Sequence, residues 1–521
     1  MPRLAACAVR TPWGDADATL AALAAGRGDQ RPLADSLLAD LVALGREVLA
    51  NAAPDLVLLA TTKGDLPRWC DDLLDDDGCG AGGPADLARA LAAAFAAPAI
   101  AVSAACASGT TALGVAARRI ASGGARRVLI LGGDRLAPFV SEGFAALRAL
   151  DPAGSRPFSA DRAGLALGET RSAILLDDDA GGLRLAGWGG RMDANHLTAP
   201  DRQGGGLLAA CRVALAGMGL AAPDLIVAHG TGTRANDDAE SLAYAALCAG
   251  VPVTATKGLL GHSLGACGLT DTALAARALA AGSFPGIAVT TVAGCAGAIA
   301  LLSPGRHALA VRHVLVANAG FAGINSAVVL ARAATARRLA LPAVYASALA
   351  ELTPEGWSAW TSADGPSTGK WSEAGVGNAL PRLSASEIIG RSEPSWGRMD
   401  LACRALIALG RRLGPLPGDA AIVLVSDAGC VTTDRIYERD RRAHCVDAQR
   451  FVYTLPTTPI GEASIRLGIR GPGLALLGAG DAQAEAIAAE LLADGVPAVL
   501  LARLESDHPP HVARAQLLRP R

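Results

Sequence analysis

The sequence predicts an α/β protein of two or three domains, with sheets largely buried between helical layers. Three observations carry that prediction. Short apolar runs of β type alternate with Ala-rich helical stretches for most of the length, the pattern of sheets covered by helices. The chain has 521 residues, too many for one core. The region beyond residue 340 also repeats part of the first. Ala43-Leu44-Gly45-Arg46 returns as Ala408-Leu409-Gly410-Arg411, an offset of 365, and Val57–Gly64 meets Ile422–Gly429 at the same offset. Further on, the helix ending Ala121-Ser122-Gly123 resembles Ala493-Asp494-Gly495, offset by 372. So long a period indicates a duplicated domain, not a solenoid.

In chain order, the runs 56–60, 100–103, 128–131, 173–176, 225–228, 253–256 and 314–317 read as buried strands. Helical patterns over 37–50, 110–122 and 263–281 separate several of them. Residues 331–341 are Arg-rich and end near Pro342, which reads as a linker, and 353–396 breaks the pattern with Ser, Gly, Pro and Trp. Hydrophobic residues make up 51% and charged residues 18%, so the chain is globular. With 47 basic and 49 acidic residues the formal charge is −2, which argues against nucleic acid or an anionic membrane as partner. The first twenty residues lack the pattern of a signal peptide, and the longest uncharged stretch, 278–305, is broken by Pro285 and several Gly, so no integral membrane segment is expected. Eleven Cys show no CxxC pair and no Cys/His cluster at zinc spacing, so the expectation is reduced thiols in the cytoplasm and no metal.

The chemistry begins at Ser103-Ala104-Ala105-Cys106-Ala107-Ser108-Gly109-Thr110, which follows a strand and opens a helix of small residues. A thiol there faces the helix N-terminus, where unpaired N–H groups and the dipole favour thiolate. Read alone, Cys106 is a nucleophile or a small buried hydrophobe. Two histidines shift the balance. His229, in Ala228-His229-Gly230-Thr231-Gly232-Thr233, and His262, in Lys257-Gly258-Leu259-Leu260-Gly261-His262-Ser263, lie in glycine-rich turns. All three residues fall just past strand C-termini, where open α/β sheets place a ligand crevice. Lys occurs only at 63, 257 and 370 in a chain that otherwise writes its cations as Arg, which singles out Lys257 as a compact, tunable charge. Its bland reading is a strand-end surface lysine, such as Lys63 or Lys370. Glu240, near the start of the next helix, reads by itself as an exposed helix-favouring carboxylate. Asn318-Ala319-Gly320-Phe321-Ala322-Gly323-Ile324-Asn325 is a glycine-rich turn whose N–H groups suit an oxyanion, or simply a tight turn.

In these motifs, residues 1 to about 335 resemble a β-ketoacyl synthase, the condensing-enzyme branch of the thiolase fold. The resemblance also runs through Ser155-Arg156-Pro157-Phe158, Leu167-Gly168-Glu169 and Asp193-Ala194-Asn195-His196-Leu197-Thr198-Ala199-Pro200. It implies a five-layered αβαβα fold from two similar halves, 1–180 with the Cys and 181–335 with the His pair. It also implies a β-ketoacyl-ACP synthase, an acyltransferase in fatty acid, polyene or polyketide assembly. Cys106 would carry the acyl chain, with the N–H groups of Cys106 and Phe321 as oxyanion hole. His229 and His262 would bind the malonyl thioester, while Lys257 and Glu240 support them. Phe321 matches the gating aromatic, and Ala319, Thr231, Thr233 and Arg148 fall at substrate-side positions. Arg148 matches a position that docks the acyl carrier protein, and Arg126 and Arg127 are candidates by charge. No cofactor is implied beyond the phosphopantetheine on that carrier.

Departures from the family pattern are plain as well. The stretch 26–55 is short, 80–99 matches the usual dimer-side segment poorly, and Ala319 replaces an aromatic. After a linker and irregular segment at 336–396, residues 397–521, or from about 340, resemble an isolated N-terminal half of the same family. In the repeat Gly478 falls at the place of Cys106, so this second α/β domain is expected to be inactive. The resemblance implies a homodimer or a ketosynthase/chain-length-factor-like assembly using that domain. Rival readings are a non-catalytic chain-length factor or scaffold subunit, and an acyltransferase that loads Cys106 without condensing.

Overall fold

The computed structural model describes residues 1–33, 36–74, 81–290, 292–333, 337–372, 380–505 and 512–521. The first sheet has the order Ala99–Ser103, Leu56–Ala60, Arg127–Gly133, Arg171–Asp177 and Arg3–Arg10. Its first three strands are parallel and the last two join antiparallel. The central strand, LVLLA, is buried throughout, as a strand covered on both faces must be. The second sheet runs Ala300–Leu301, Pro252–Thr254, Leu225–Val227, His313–Gly320, Ile324–Ala331 and Arg184–Met192.

Between these sheets lie two helices, Ser108–Ala121 and Cys267–Ala281, packed on each other. Their small residues permit a very close approach: a Cβ on Gly109 would fall 2.3 Å from the Leu269 nitrogen. Leu37–Leu49 and Pro84–Phe95 cover the outer face of the first sheet, and Gly205–Ala216 that of the second. The result is the five-layered αβαβα stack that the resemblance implied.

The repeat appears as a third sheet in the same topology. Ala421–Ser426 is flanked by parallel Gly473–Leu477 and Val499–Glu505, and Val512–Pro520 and Val344–Leu352 add antiparallel. The segment expected to be linker and irregular structure therefore contains part of this sheet. Val344–Leu352 continues into Gly356–Thr361 and Gly365–Lys370 as an antiparallel meander. Ser and Gly on an edge hairpin mask the period-two pattern that betrays a strand. Pairing also refines the repeat. Val57 opposes Ala99 and Ile422 opposes Gly473, so Gly480, not Gly478, stands as far past its strand as Cys106 does. Gly478-Ala479-Gly480 offers no nucleophile in either register.

The first and third sheets join edge to edge and antiparallel, Ser103 opposite Ala475 and Ala101 opposite Leu477. Side chains fasten the same junction. Asp494 accepts from Arg118 Nε at 2.8 Å, Trp188 Nε1 at 2.7 Å and Arg337 at 2.6 Å. Lys63, read from sequence as a surface lysine, is buried there instead: Nζ is 2.6 Å from Asp434 Oδ1 and 4.4 Å from the centre of the Trp69 ring. Among the described residues no helix is long and apolar enough to cross a membrane.

Candidate active site

Cys106 lies in the turn between the strand Ala99–Ser103 and the helix Ser108–Ala121, 8% exposed. Ala105 takes a left-handed φ of 50° to make that turn. Ser108 braces it: Oγ accepts from the Ala104 N–H at 2.9 Å and donates to the Ala105 carbonyl at 2.6 Å. The thiol is thereby held at the positive end of a 14-residue helix.

His229 follows the strand Leu225–Val227, and the next helix clamps its turn. Glu240 accepts from the backbone N–H of His229 at 2.6 Å and of Gly230 at 2.8 Å, and from the Tyr244 hydroxyl at 2.6 Å. Burial and the nearby Asp237 push the Glu240 carboxyl up to about 7, against the pull of these bonds. Asp237, one turn earlier, accepts from the N–H groups of Phe158 at 2.7 Å and Thr231 at 3.1 Å. It ties the His229 turn to the Ser155–Phe158 segment. His262 is anchored by its backbone, N–H to the Ala166 carbonyl at 2.7 Å, and its ring Nδ1 accepts from the Leu264 N–H at 3.0 Å. The two imidazoles stand 5.4 Å apart, planes at 89°.

Burial, then the charge of Lys257 and the neighbouring His262, holds His229 well below the usual imidazole range, so it is neutral at physiological pH. Lys257 Nζ lies 3.0 Å from Asp271 Oδ2, and Thr256 donates to the other oxygen at 2.6 Å. Burial alone would lower the Lys257 ammonium, but Asp271 outweighs it and holds it above its ordinary value.

Phe321 begins the tight turn after the strand His313–Gly320, its ring 5.8 Å from Phe144. The turn closes directly on the nucleophile: a Cβ on Gly320 would lie 2.8 Å from the Ala104 carbonyl oxygen and 3.1 Å from the Cys106 nitrogen. Cys106, His229, His262, Phe321, Ala319, Thr231, Thr233 and Arg148 line one cavity of about 420 Å³. Lys257 and Glu240 stand behind its wall and are buried. Arg126 and Arg127 are at the other end of the parallel strands, around the start of Arg127–Gly133, and Arg126 faces Asp178 at 3.6 Å. Charge alone singled them out, whereas the site lies at strand C-termini.

Sequence reasoning missed Asp271, Asp237, Asn318 and Phe144. Asp271 carried one signal, an acid inside a helix written, apart from Arg277, in small and apolar residues. Phe144 had none, because it is delivered by a helix, Pro138–Ala146, from outside the recognised motifs.

Residues 88–180 match the N-terminal domain of beta-ketoacyl synthase and 184–290 the C-terminal domain. Actinorhodin polyketide putative beta-ketoacyl synthase 1 of Streptomyces coelicolor is 33% identical over 274 residues, covering 49% of this chain and 58% of that protein. The 3-oxoacyl-[acyl-carrier-protein] synthase 2 of Synechocystis is 34% identical over 204 residues, 35% of this chain and 49% of that one. The chain thus spans about half the length of the curated relatives it matches. Among solved structures, the ishigamide ketosynthase/chain length factor superimposes with a TM-score of 0.59 at 24% identity, over 64% of this chain and 99% of that one. The PfaC keto synthase-chain length factor reaches 0.77 at 13% identity, over 100% of this chain and 78% of that one. At those identities the structures establish the fold alone. Residues 88–290 carry the N- and C-terminal domains of the beta-ketoacyl synthase family.

Proposed function

We propose that this chain is a β-ketoacyl-ACP synthase performing decarboxylative Claisen condensation. The Cys106 thiolate attacks the thioester of an acyl-carrier protein, the tetrahedral oxyanion is held by the N–H groups of Cys106 and Phe321, and the carrier thiol leaves. Malonyl-carrier protein then binds with its thioester carbonyl between His229 and His262. Loss of carbon dioxide leaves an enolate stabilised by the two Nε2–H donors. Its carbon attacks the acyl-Cys106 carbonyl, and the thiolate departs as the chain gains two carbons.

The observation that carries this reading is the state of the histidines. Each Nδ1 accepts a hydrogen bond, His229 from Asn318 at 3.1 Å and His262 from Leu264 at 3.0 Å. A neutral ring that accepts at Nδ1 carries its proton on Nε2, so both rings are donors. Two Nε2–H donors lining the same cavity as a thiol at a helix N-terminus suit an enolate more than they suit proton abstraction. The exposed Arg148 at the cavity is the docking candidate for an acidic carrier protein, and the phosphopantetheine arrives on that carrier.

The reading divides the chain into a nucleophile half at 1–180, a histidine half at 181–335 and an inactive half-synthase beyond about 340. For that third unit the favoured role is a pseudo-subunit that shapes the acyl pocket as a chain-length factor does. The edge-to-edge pairing of Ala101–Ser103 with Ala475–Leu477 supports it, as does an aromatic contact. Phe451 packs 5.4 Å from Phe144, which in turn meets Phe321 in the cavity.

Intact-mass measurement of wild type and Cys106→Ala tests the reaction, using acyl-carrier proteins of varied length followed by malonyl-carrier protein. The expected result is an adduct on wild type only, chased off two carbons longer. A folded wild type that forms no adduct with any carrier would move the assignment to a non-catalytic chain-length factor or scaffold. An adduct that persists without carbon dioxide release would make it a loading acyltransferase.

A further inference from the structure

Asn318 lies near the end of the strand His313–Gly320, fully buried between the ion pair and the histidine. Its Nδ2 is 3.1 Å from His229 Nδ1 and 3.4 Å from Asp271 Oδ2, the oxygen that also faces Lys257 Nζ at 3.0 Å. The carboxylate decides which way the amide points. An amide oxygen turned toward Asp271 would set two acceptors against each other, whereas the NH₂ group has one hydrogen for each acceptor. That leaves Oδ1 buried with no donor among the described residues. Room for that oxygen exists only because residue 268 is glycine: a Cβ there would lie 2.6 Å from Oδ1. An unsatisfied buried oxygen carries its full desolvation penalty. A core position does not keep a polar side chain at that cost for packing alone.

We propose that Asn318 is a positioning residue that couples the Lys257–Asp271 ion pair to His229 and holds the His229 proton on Nε2. The inference rests on the condensing reading and adds a member to its machinery. It differs in kind from the clamp that Glu240 provides, because Glu240 holds the backbone of the turn and leaves the ring free to choose its tautomer. The charged and titratable groups around the His229 ring are Lys257, His262, Asp271 and Cys106, with Glu240 and Asp237 beneath its turn. Asn318 is the neutral group that relays one of them to Nδ1.

The test compares wild type, Asn318→Ala and the isosteric Asn318→Asp in three measurements: acylation of Cys106 by intact mass, carbon dioxide release from malonyl-carrier protein between pH 6 and 8, and the His229 tautomer from ¹⁵N shifts of histidine-labelled protein. Asn318→Ala should slow carbon dioxide release about tenfold or more while acylation changes by less than about threefold, because only the second half-reaction uses the Nε2 donor. Asn318→Asp places a second carboxyl at Nδ1, and its decarboxylation should acquire a pH limb absent from wild type. The ¹⁵N shifts should report Nε2–H in wild type and an altered protonation pattern in both variants. Wild-type release rates, pH profile and tautomer in both variants would overturn the proposal. Should Asn318→Ala fail to fold, Asn318→Asp decides alone. A wild type that releases no carbon dioxide, yet loses the Nε2–H tautomer in the variants, would sink the condensing reading and leave the positioning role standing.

Discussion

Replacing Lys63 with methionine removes a cation buried where the first sheet meets the repeat, and keeps most of its volume. Its partner Asp434 is fully buried, and burial, opposed by Lys63, raises that carboxyl from 3.8 to about 7. A carboxyl raised on folding makes the native state less stable as pH climbs from the unfolded value toward the folded one, by about 1.4 kcal/mol per pH unit. In wild type that loss levels off near pH 7, where Lys63 lets the carboxylate form. Without the cation it continues, adding about 1.4 kcal/mol by pH 8 to the loss of the ion pair's own hydrogen bonds, about 1–3 kcal/mol. The expected penalty is therefore about 1–3 kcal/mol at pH 5.5 and about 2–4 kcal/mol at pH 8. Urea midpoints followed by circular dichroism at both pH values measure it. Adding Asp434→Asn to the variant should abolish the excess at pH 8, since nothing is left to titrate. An equal penalty at both pH values would refute the account of Asp434 as the group that Lys63 compensates.

Other substitutions probe the site from behind. Phe451→Ala should cost about 3–5 kcal/mol as a truncated buried aromatic and, on the pseudo-subunit reading, shift products toward longer chains in mass spectra; unchanged lengths would count against that reading. Gly461→Leu drives a Cβ to 2.7 Å from the Ala322 side chain, in the Phe321 turn. It should cost about 1–3 kcal/mol in denaturation and slow acylation, and a normal acylation rate would mean that the turn absorbs the push elsewhere. Lys257→Met leaves Asp271 buried without its cation and should cost about 3–5 kcal/mol, with release of carbon dioxide falling more than Cys106 loading. Equal losses in both half-reactions would indicate a role in folding only.

What was legible in the sequence follows from local physics. Apolar runs closed by glycine turns mark strands and their C-terminal ends, so Cys106, His229 and Phe321 were readable as residues at the ends of strands, whereas His262 stands further on, past the short helix Lys257–Leu260 that follows Pro252–Thr254. The duplication was readable because related halves bury the same apolar positions. Other groups are joined only by contacts remote in sequence, and no periodicity announces them. Asp271 reaches Lys257 across a helix, Asn318 reaches both Asp271 and His229 from another strand, and Phe144 meets the aromatics of the repeat. Lys63 is the sharpest case. A lysine at a strand end reads as solvated, and it became buried because the helix Val431–Arg442 of the repeat carried Asp434, 371 residues away in sequence, to within 2.6 Å of it. Sequence by itself determined the layers, the strand ends and the chemical groups placed on them. Tertiary structure alone decided which charges lost their water and which partners replaced it, because desolvation depends on what packs against a residue and not on its neighbours along the chain.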